Sequence, residues 1–236
     1  MPEAILQLPM LHVLPFHVAI GVIYAINAVV IVGLAWMFQD ERFQKWHIRG
    51  PLPMRVSKAQ YYWNILPNLA LSTVVTTGAI YGLSPWTLST EALPWWGYPL
   101  EGLAVLVVYD FSYYFMHRLF HVKALFPLVH VVHHKVRFPR AQDSLYQSPL
   151  ELIAGVGLLM AVIAAVGGIH WATFVVVFTV YSVLHIFIHS GMIFPYKILA
   201  PLNYLTMKHH RHHLNKHGHN FAAVTPIPDM IFGTAA

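Results

Sequence analysis

Long apolar runs alternate with short basic segments along this chain. Residues 16–38 contain no Lys, Arg, Asp or Glu, and a second such run covers about 65–86. A third, about 99–116, carries Asp110 at mid-run. From residue 152 to residue 196 nothing is charged, and "GGIHW" at Gly167–Trp171 breaks that stretch in two, giving runs of 150–169 and 172–190. A helix that crosses a bilayer needs about 20 apolar residues. The pattern therefore predicts an all-α fold, a polytopic membrane bundle of four to five spans. The lower number applies if one segment is re-entrant or the last two form a shallow hairpin.

The cations give this pattern a direction. Arg42, Lys45, Arg49, Arg55 and Lys58 lie between the first two runs. Arg118, Lys123, Lys135, Arg137 and Arg140 follow the third, and Lys197, Lys208, Arg211 and Lys216 follow the fifth. Threading five spans in order puts every Lys and Arg on one side. Residues 1–15, 87–98 and 167–171 have none. The positive-inside rule makes the basic side cytoplasmic and leaves the N-terminus outside. This corresponds to the inner membrane in a bacterium or the endoplasmic reticulum in a eukaryote. No Lys or Arg precedes the first run and no small-residue cleavage site follows it, so no removable leader is expected.

Composition agrees with a membrane chain: of 236 residues, 57% are hydrophobic and 10% charged, against about a quarter charged in soluble domains. There is no internal repeat or linker, and residues 1–236 read as one domain. There is no nucleic-acid motif, and no cysteine to form a disulfide or a thiolate metal site.

Histidine is the exception to this plain composition. Of 17 histidines, 14 fall between His117 and His219. Ten of these form four clusters: His117 and His121; His130, His133 and His134; His185 and His189; and His209, His212 and His213. Spacings of three and four place side chains on one helix face. Pro127 is a suitable start for a short helix carrying the second cluster, and Gly218 a suitable stop for the helix carrying the fourth. In the predicted topology all four clusters reach the cytoplasmic membrane surface, in a cap built from 117–149 and 191–236.

Ten imidazoles on one surface are enough for two metal ions with positions left open. A single structural zinc takes four ligands in a closed site and does not account for ten. Imidazole suits iron, zinc, copper and nickel, and two redox-active ions fit the set better. A solitary histidine in a membrane chain is ordinarily a packing or interfacial residue, and His12, His17, His47 and His170 are read that way. His210 lies one residue off the face of the fourth cluster and is left out. His217 and His219 remain as neighbours on the metal or substrate side.

The order HxxxH, HxxHH, HxxxH, HxxHH resembles the fatty acid hydroxylase / sterol desaturase superfamily of integral membrane di-iron enzymes. The resemblance covers about 99–234, including the tail "NFAAVTPIPDMIFGT". It implies ten metal ligands: His117, His121, His130, His133, His134, His185, His189, His209, His212 and His213. It also implies two iron ions, dioxygen as co-substrate, and hydroxylation of a C–H bond in a lipid-like substrate such as a fatty acyl chain, a sterol or a related apolar molecule. Ala222 and Pro228 depart from the usual pattern, as does Ser148 in "QSPLE", which resembles a segment that often reads His-Pro-x-Glu. All three touch the substrate side more than the ligands.

Asp110 lies two turns before His117 and is the first candidate to orient an imidazole; a polar contact between helices is the competing reading. Asp143, Asp229, Asn220 and His217 are further candidates. The substrate is expected to enter from the bilayer, past aromatic residues such as those of "DFSYYF" (Asp110–Phe115). There is no flavin or nicotinamide fingerprint. Electrons are therefore expected from a separate reductase, ferredoxin or small cytochrome, docked on the basic surface. Two other readings compete. One is a desaturase acting on the same substrates. The other is a histidine-rich metal-binding or transport protein, for which ligands are expected near mid-bilayer rather than at one face. Zinc in a purified sample decides nothing, because all-histidine sites accept it readily.

Overall fold

The computed structural model describes residues 9–49, 56–214 and 218–236. The candidate His217 lies outside the described residues.

Five long helices stand where the apolar runs are: α1 (Leu14–Gln39), α2 (Lys58–Thr87), α3 (Gly97–Phe120), α5 (Pro149–Ala165) and α6 (Trp171–Ile188). Three short helices complete the set: α4 (Phe126–Val129), α7 (Ala200–Leu214) and α8 (Ile227–Ile231). Helices α1, α2 and α6 are long and apolar enough to cross a membrane; α5 is apolar but shorter. Their outward surfaces are apolar, with Leu14, Val29, Val32, Leu66, Val74 and Val176 exposed.

The helix ends follow local chemistry that hydropathy does not register. Helix α2 begins at Lys58, earlier than the predicted 65. Ser57 Oγ accepts from Gln60 N at 3.2 Å while Gln60 Oε1 accepts from Ser57 N at 3.1 Å, a reciprocal cap over a polar first turn. Helix α5 ends at Ala165, before the predicted 169, because Gly167 and Gly168 turn the chain with φ of +94° and +82°. His170 then caps α6, its Nδ1 accepting from Ala172 N at 3.0 Å. At the same turn Ile169–His170 (β2) pairs in parallel with Leu88–Ser89 (β1). This two-residue ladder and a single antiparallel bridge between His47 and Met192 are the departures from an all-helical chain among the described residues, and both are too short to give a periodic signal.

The main core packs α1, α3, α5 and α6 around Phe16, Ile23, Tyr109, Ile163 and Phe174. It fills the half of the bundle away from the histidines. At the opposite ends of α3 and α6, α7 and the connecting turns gather over the bundle. Gly191, just after the third histidine pair, makes this crossing with φ +68°, and a Cβ there would lie 2.7 Å from the Pro139 carbonyl oxygen. Gly191→Ala is therefore expected to destabilise the protein by about 2 kcal/mol or more, from the left-handed conformation and the backbone clash together. Thermal unfolding in detergent measures this, and an unchanged midpoint would contradict the geometry.

Candidate metal centre

Nine of the ten predicted histidines converge into two groups. His117, His121, His130, His134 and His212 form one, and His133, His189, His209 and His213 the other. In each group every residue offers a ligand atom within 4.8 Å of all the others. The two groups adjoin, with the rings of His134 and His213 5.0 Å apart.

The sequence clusters do not map one to one onto these groups. The second splits, sending His130 and His134 to one group and His133 to the other. The fourth splits as well, sending His212 to the first group and His209 and His213 to the second. The expectation that each cluster points in one direction is thus corrected. Only α4, ending at Val129, is helical in the second cluster. His130 follows its end and His133–Lys135 is a separate 3-10 turn, so the spacing of a continuous helix does not apply. His185 is in neither group. Its Nε2 lies 3.3 Å from the Ser144 carbonyl oxygen, although its ring is 4.7 Å from that of His189. His210 is buried beside Phe138 and also lies in neither group.

Backbone carbonyls set the ring orientations. The Nδ1–H groups of His117, His133, His189, His212 and His213 donate to the carbonyls of Phe221, Tyr146, His185, His219 and Val136, at 2.7, 3.1, 2.6, 2.8 and 2.9 Å. The Nδ1 of His130 lies 2.9 Å from Glu151 Oε1. A carbonyl can only accept, so each of the five carbonyl-bound neutral rings carries its proton on Nδ1 and points a bare Nε2 inward.

The inward nitrogens then meet at close range. Nε2 to Nε2 distances are 2.9 Å for His117–His130, 3.1 Å for His133–His189 and 2.9 Å for His189–His209. His212 Nε2 lies 3.2 Å from that of His121 and 3.1 Å from that of His134. In the His133–His189 pair both rings are protonated on Nδ1, so there is no hydrogen to share, and the bare Nε2 atoms of His117, His212 and His213 face further imidazole nitrogens at the same close range. Such contacts repel unless a cation stands among them, and these donor sets fit metal ions. Burial, reinforced by the neighbouring imidazoles, pushes His130, His209, His212 and His213 well below the ordinary histidine range, and burial lowers His133 to about 3. Folded values below the unfolded value of about 6.5 mean that this stability is present above that pH and lost as pH falls.

The predicted carboxylates act one step further out than expected. Asp110 reaches no imidazole; it accepts from Val224 N, Thr225 N and Thr225 Oγ1 at 2.9, 3.0 and 2.5 Å. Asp229 accepts from Phe221 N, Ala222 N and Thr234 Oγ1 at 2.8, 2.9 and 2.8 Å, and pairs with Lys208 at 2.7 Å in full burial. Together they fix the segment whose Phe221 carbonyl holds His117. Asp143 binds Tyr61 and Arg140 and so fixes the 141–146 turn, whose carbonyls meet His185 and His133. Asn220, at φ +63°, bonds the Ala236 backbone through both ends of its amide rather than any histidine. Each of these side chains is too far along its own element to touch a ring, and the backbone carries its effect.

Glu151 is the carboxylate that does touch a ring, and it was visible in the sequence only as the end of "QSPLE". Ser148, where a histidine is usual, caps α5 through Glu151 N at 3.1 Å and donates to the Val129 carbonyl at 2.5 Å. It thereby ties the start of α5 to the second cluster and sets Glu151 beside His130. Glu151→Gln is expected to weaken metal retention about 10- to 100-fold, read by competition with a chelator. Unaltered retention would remove Glu151 from the site.

A cavity of about 350 Å³ runs among α1, α2, α3, α5 and α6 up to His133 and His185. Ile31, Leu152, Val156, Phe178 and Ile186 give it apolar walls. Of "DFSYYF", Tyr113 lines it. Tyr114 instead stacks on Phe232, and Phe115 is exposed.

The sequence profile described as fatty acid hydroxylase matches residues 102–234. Methylsterol monooxygenase 1 of Rattus norvegicus is 34% identical over 155 residues, 61% of this chain and 50% of that protein. Very-long-chain aldehyde decarbonylase GL1-8 of Oryza sativa subsp. indica is 32% identical over 155 residues, 62% of this chain and 56% of that one. Methylsterol monooxygenase 1-1 of Arabidopsis thaliana is 32% identical over 146 residues, 57% of this chain and 47% of that one. The chain thus spans about half the length of the curated relatives it matches. No solved structure matches it.

Proposed function

The chain belongs to the fatty acid hydroxylase family, and from that premise we propose that it is a membrane di-iron oxygenase that hydroxylates a C–H bond of a lipid-like substrate. The observation that carries this reading is the convergence of bare Nε2 atoms in two adjoining groups. In this reading the nine grouped imidazoles hold two iron ions. His185, whose ring lies 4.7 Å from that of His189, would be the tenth ligand, beside the second group. Iron bound there would supply the activation of dioxygen with two external electrons, drawn from a separate reductase, ferredoxin or small cytochrome.

The chain's own residues do the rest. The carbonyls of residues 136, 146, 185, 219 and 221 hold the rings in one tautomer. The apolar cavity excludes water and brings a substrate carbon to the side of the centre at His133 and His185. Ala28 and Leu69 line that cavity and are also exposed on the outer surface of the bundle, which suits entry from the bilayer. The five-span topology, with the histidine end cytoplasmic, puts the metal cap at the membrane surface and the basic segments beside it, where an acidic donor would dock.

Two measurements test this. Protein purified in detergent and loaded anaerobically should hold close to two iron ions per chain. Lipid mass spectrometry of cells with and without the protein should show an oxygen-dependent product heavier by one oxygen. A product lighter by two hydrogens would instead make the enzyme a desaturase. Metal without any oxygen-dependent product would favour the metal-binding reading and overturn this one.

A further inference from the structure

We propose that Asn27, inside the cavity, is a hydrogen-bonding site for a hydroxyl group on the substrate, so that the enzyme selects a hydroxyl-bearing lipid over the corresponding hydrocarbon. This rests on the reading that the cavity holds the substrate.

Asn27 stands in the middle of α1, within a run that carries no Lys, Arg, Asp or Glu. Its side chain lines the cavity, and its Oδ1 is buried without a hydrogen-bond partner. A buried amide left unpaired in an apolar medium costs free energy, more so at membrane depth. An asparagine of the neighbouring α2 is treated differently. Asn68 Nδ2 donates to the carbonyls of Leu145 and Gln147 at 3.2 and 2.7 Å and to Asn64 Oδ1 at 3.2 Å. The fold can thus satisfy an amide in this part of the bundle, and at Asn27 it does not.

The surroundings of Asn27 fit a small polar group rather than a chain alone. Ser72 and Thr76 from α2 and Ser182 from α6 line the same cavity. Ser182 Oγ donates to the Thr179 carbonyl at 3.3 Å, which leaves its lone pairs for another donor. On the far side, Tyr24 OH and Thr77 Oγ1 meet at 2.8 Å, and His17 Nδ1 meets Tyr81 OH at 2.5 Å. These bonds join the parts of α1 and α2 away from the histidines, and the cavity lies between them and the metal end. A hydroxyl placed at Asn27 would be bound within a membrane-level pocket whose other end is His133 and His185. A hydroxyl can donate to the amide oxygen and accept from the amide nitrogen, so it satisfies either orientation of the carboxamide.

The test is a binding measurement on the iron-loaded protein in nanodiscs, with two matched pairs of probes. Cholesterol and 5-cholestene form one pair, hexadecan-1-ol and hexadecane the other. Wild type should bind one of the alcohols about tenfold more tightly than its hydrocarbon, relative to the same ratio in Asn27→Leu. Comparing ratios between two proteins cancels the different partitioning of alcohol and hydrocarbon into the bilayer. Asn27→Thr and Asn27→Val, matched in shape and differing in a hydroxyl, provide a second contrast in which Thr should keep part of the preference and Val lose it. The pair that shows the preference identifies a ring or an open-chain skeleton. An equal alcohol preference in wild type, Leu and Val proteins, or none in wild type, would overturn the proposal. Oxygen-dependent turnover of a lipid without any dependence on Asn27 overturns this proposal alone, whereas Asn27-dependent binding without turnover counts against the oxygenase reading.

Discussion

Replacing His212 with Ala is expected to reduce turnover by more than about 100-fold and to leave the protein short of metal. Mutating a group that only orients a ligand typically costs 10- to 100-fold, and in the proposed reading His212 is itself a ligand. Its Nε2 sits 3.2 and 3.1 Å from those of His121 and His134, and its ring centre is 4.5 Å from that of His117. It is the member of α7 that ties the first group together. His210→Ala is the matched control. It removes a buried histidine two residues away that belongs to neither group, and the iron content should persist. The comparison is made by metal analysis and by oxygen-dependent product formation in the same preparations. Full metal and full activity in His212→Ala would end the assignment of the fourth cluster.

The largest effect on stability is expected at Asp229. Asp229→Ala removes the partner of a Lys208 ammonium that is itself buried, and it strands the N–H groups of Phe221 and Ala222. Breaking a buried pair from one side costs about 3–5 kcal/mol. The same substitution frees the segment whose Phe221 carbonyl holds His117, so metal retention should fall with stability. The double variant Lys208→Met, Asp229→Leu separates the two roles. Apolar replacement of both partners is often neutral in stability, so the unfolding midpoint should partly recover while metal retention stays low. Recovery of both together would mean that Asp229 acts on stability alone.

The apolar runs gave the positions of all five long helices, because lipid-facing and core-facing surfaces are both apolar and hydropathy needs no register to see them. The helix ends were not legible, since Ser57, Ser148 and His170 act through one or two hydrogen bonds each, which hydropathy does not register. The histidine spacing pointed to one end of the bundle, and nine of the ten residues it named converge there. It did not show how they divide. That depends on a helix stopping at Val129 and on α7 presenting His212 to one group and His209 and His213 to the other. The carboxylates were misjudged for a related reason. Helical periodicity from Asp110 to His117 takes no account of a chain segment 114 residues later that claims both carboxylate oxygens first.

That late segment has a consequence for how the protein is made. His219 and Phe221 lend their carbonyls to His212 and His117, and Asn220 N donates in turn to the Thr234 carbonyl at 2.8 Å. Chains emerge from the ribosome at about 5–20 residues per second, N-terminal parts first. The long helices through Ile188 are therefore synthesised before α7 supplies His212 to one histidine group and His209 and His213 to the other. Translation order makes both groups complete only once the last part of the chain has been made, so a chain truncated before α7 would carry neither.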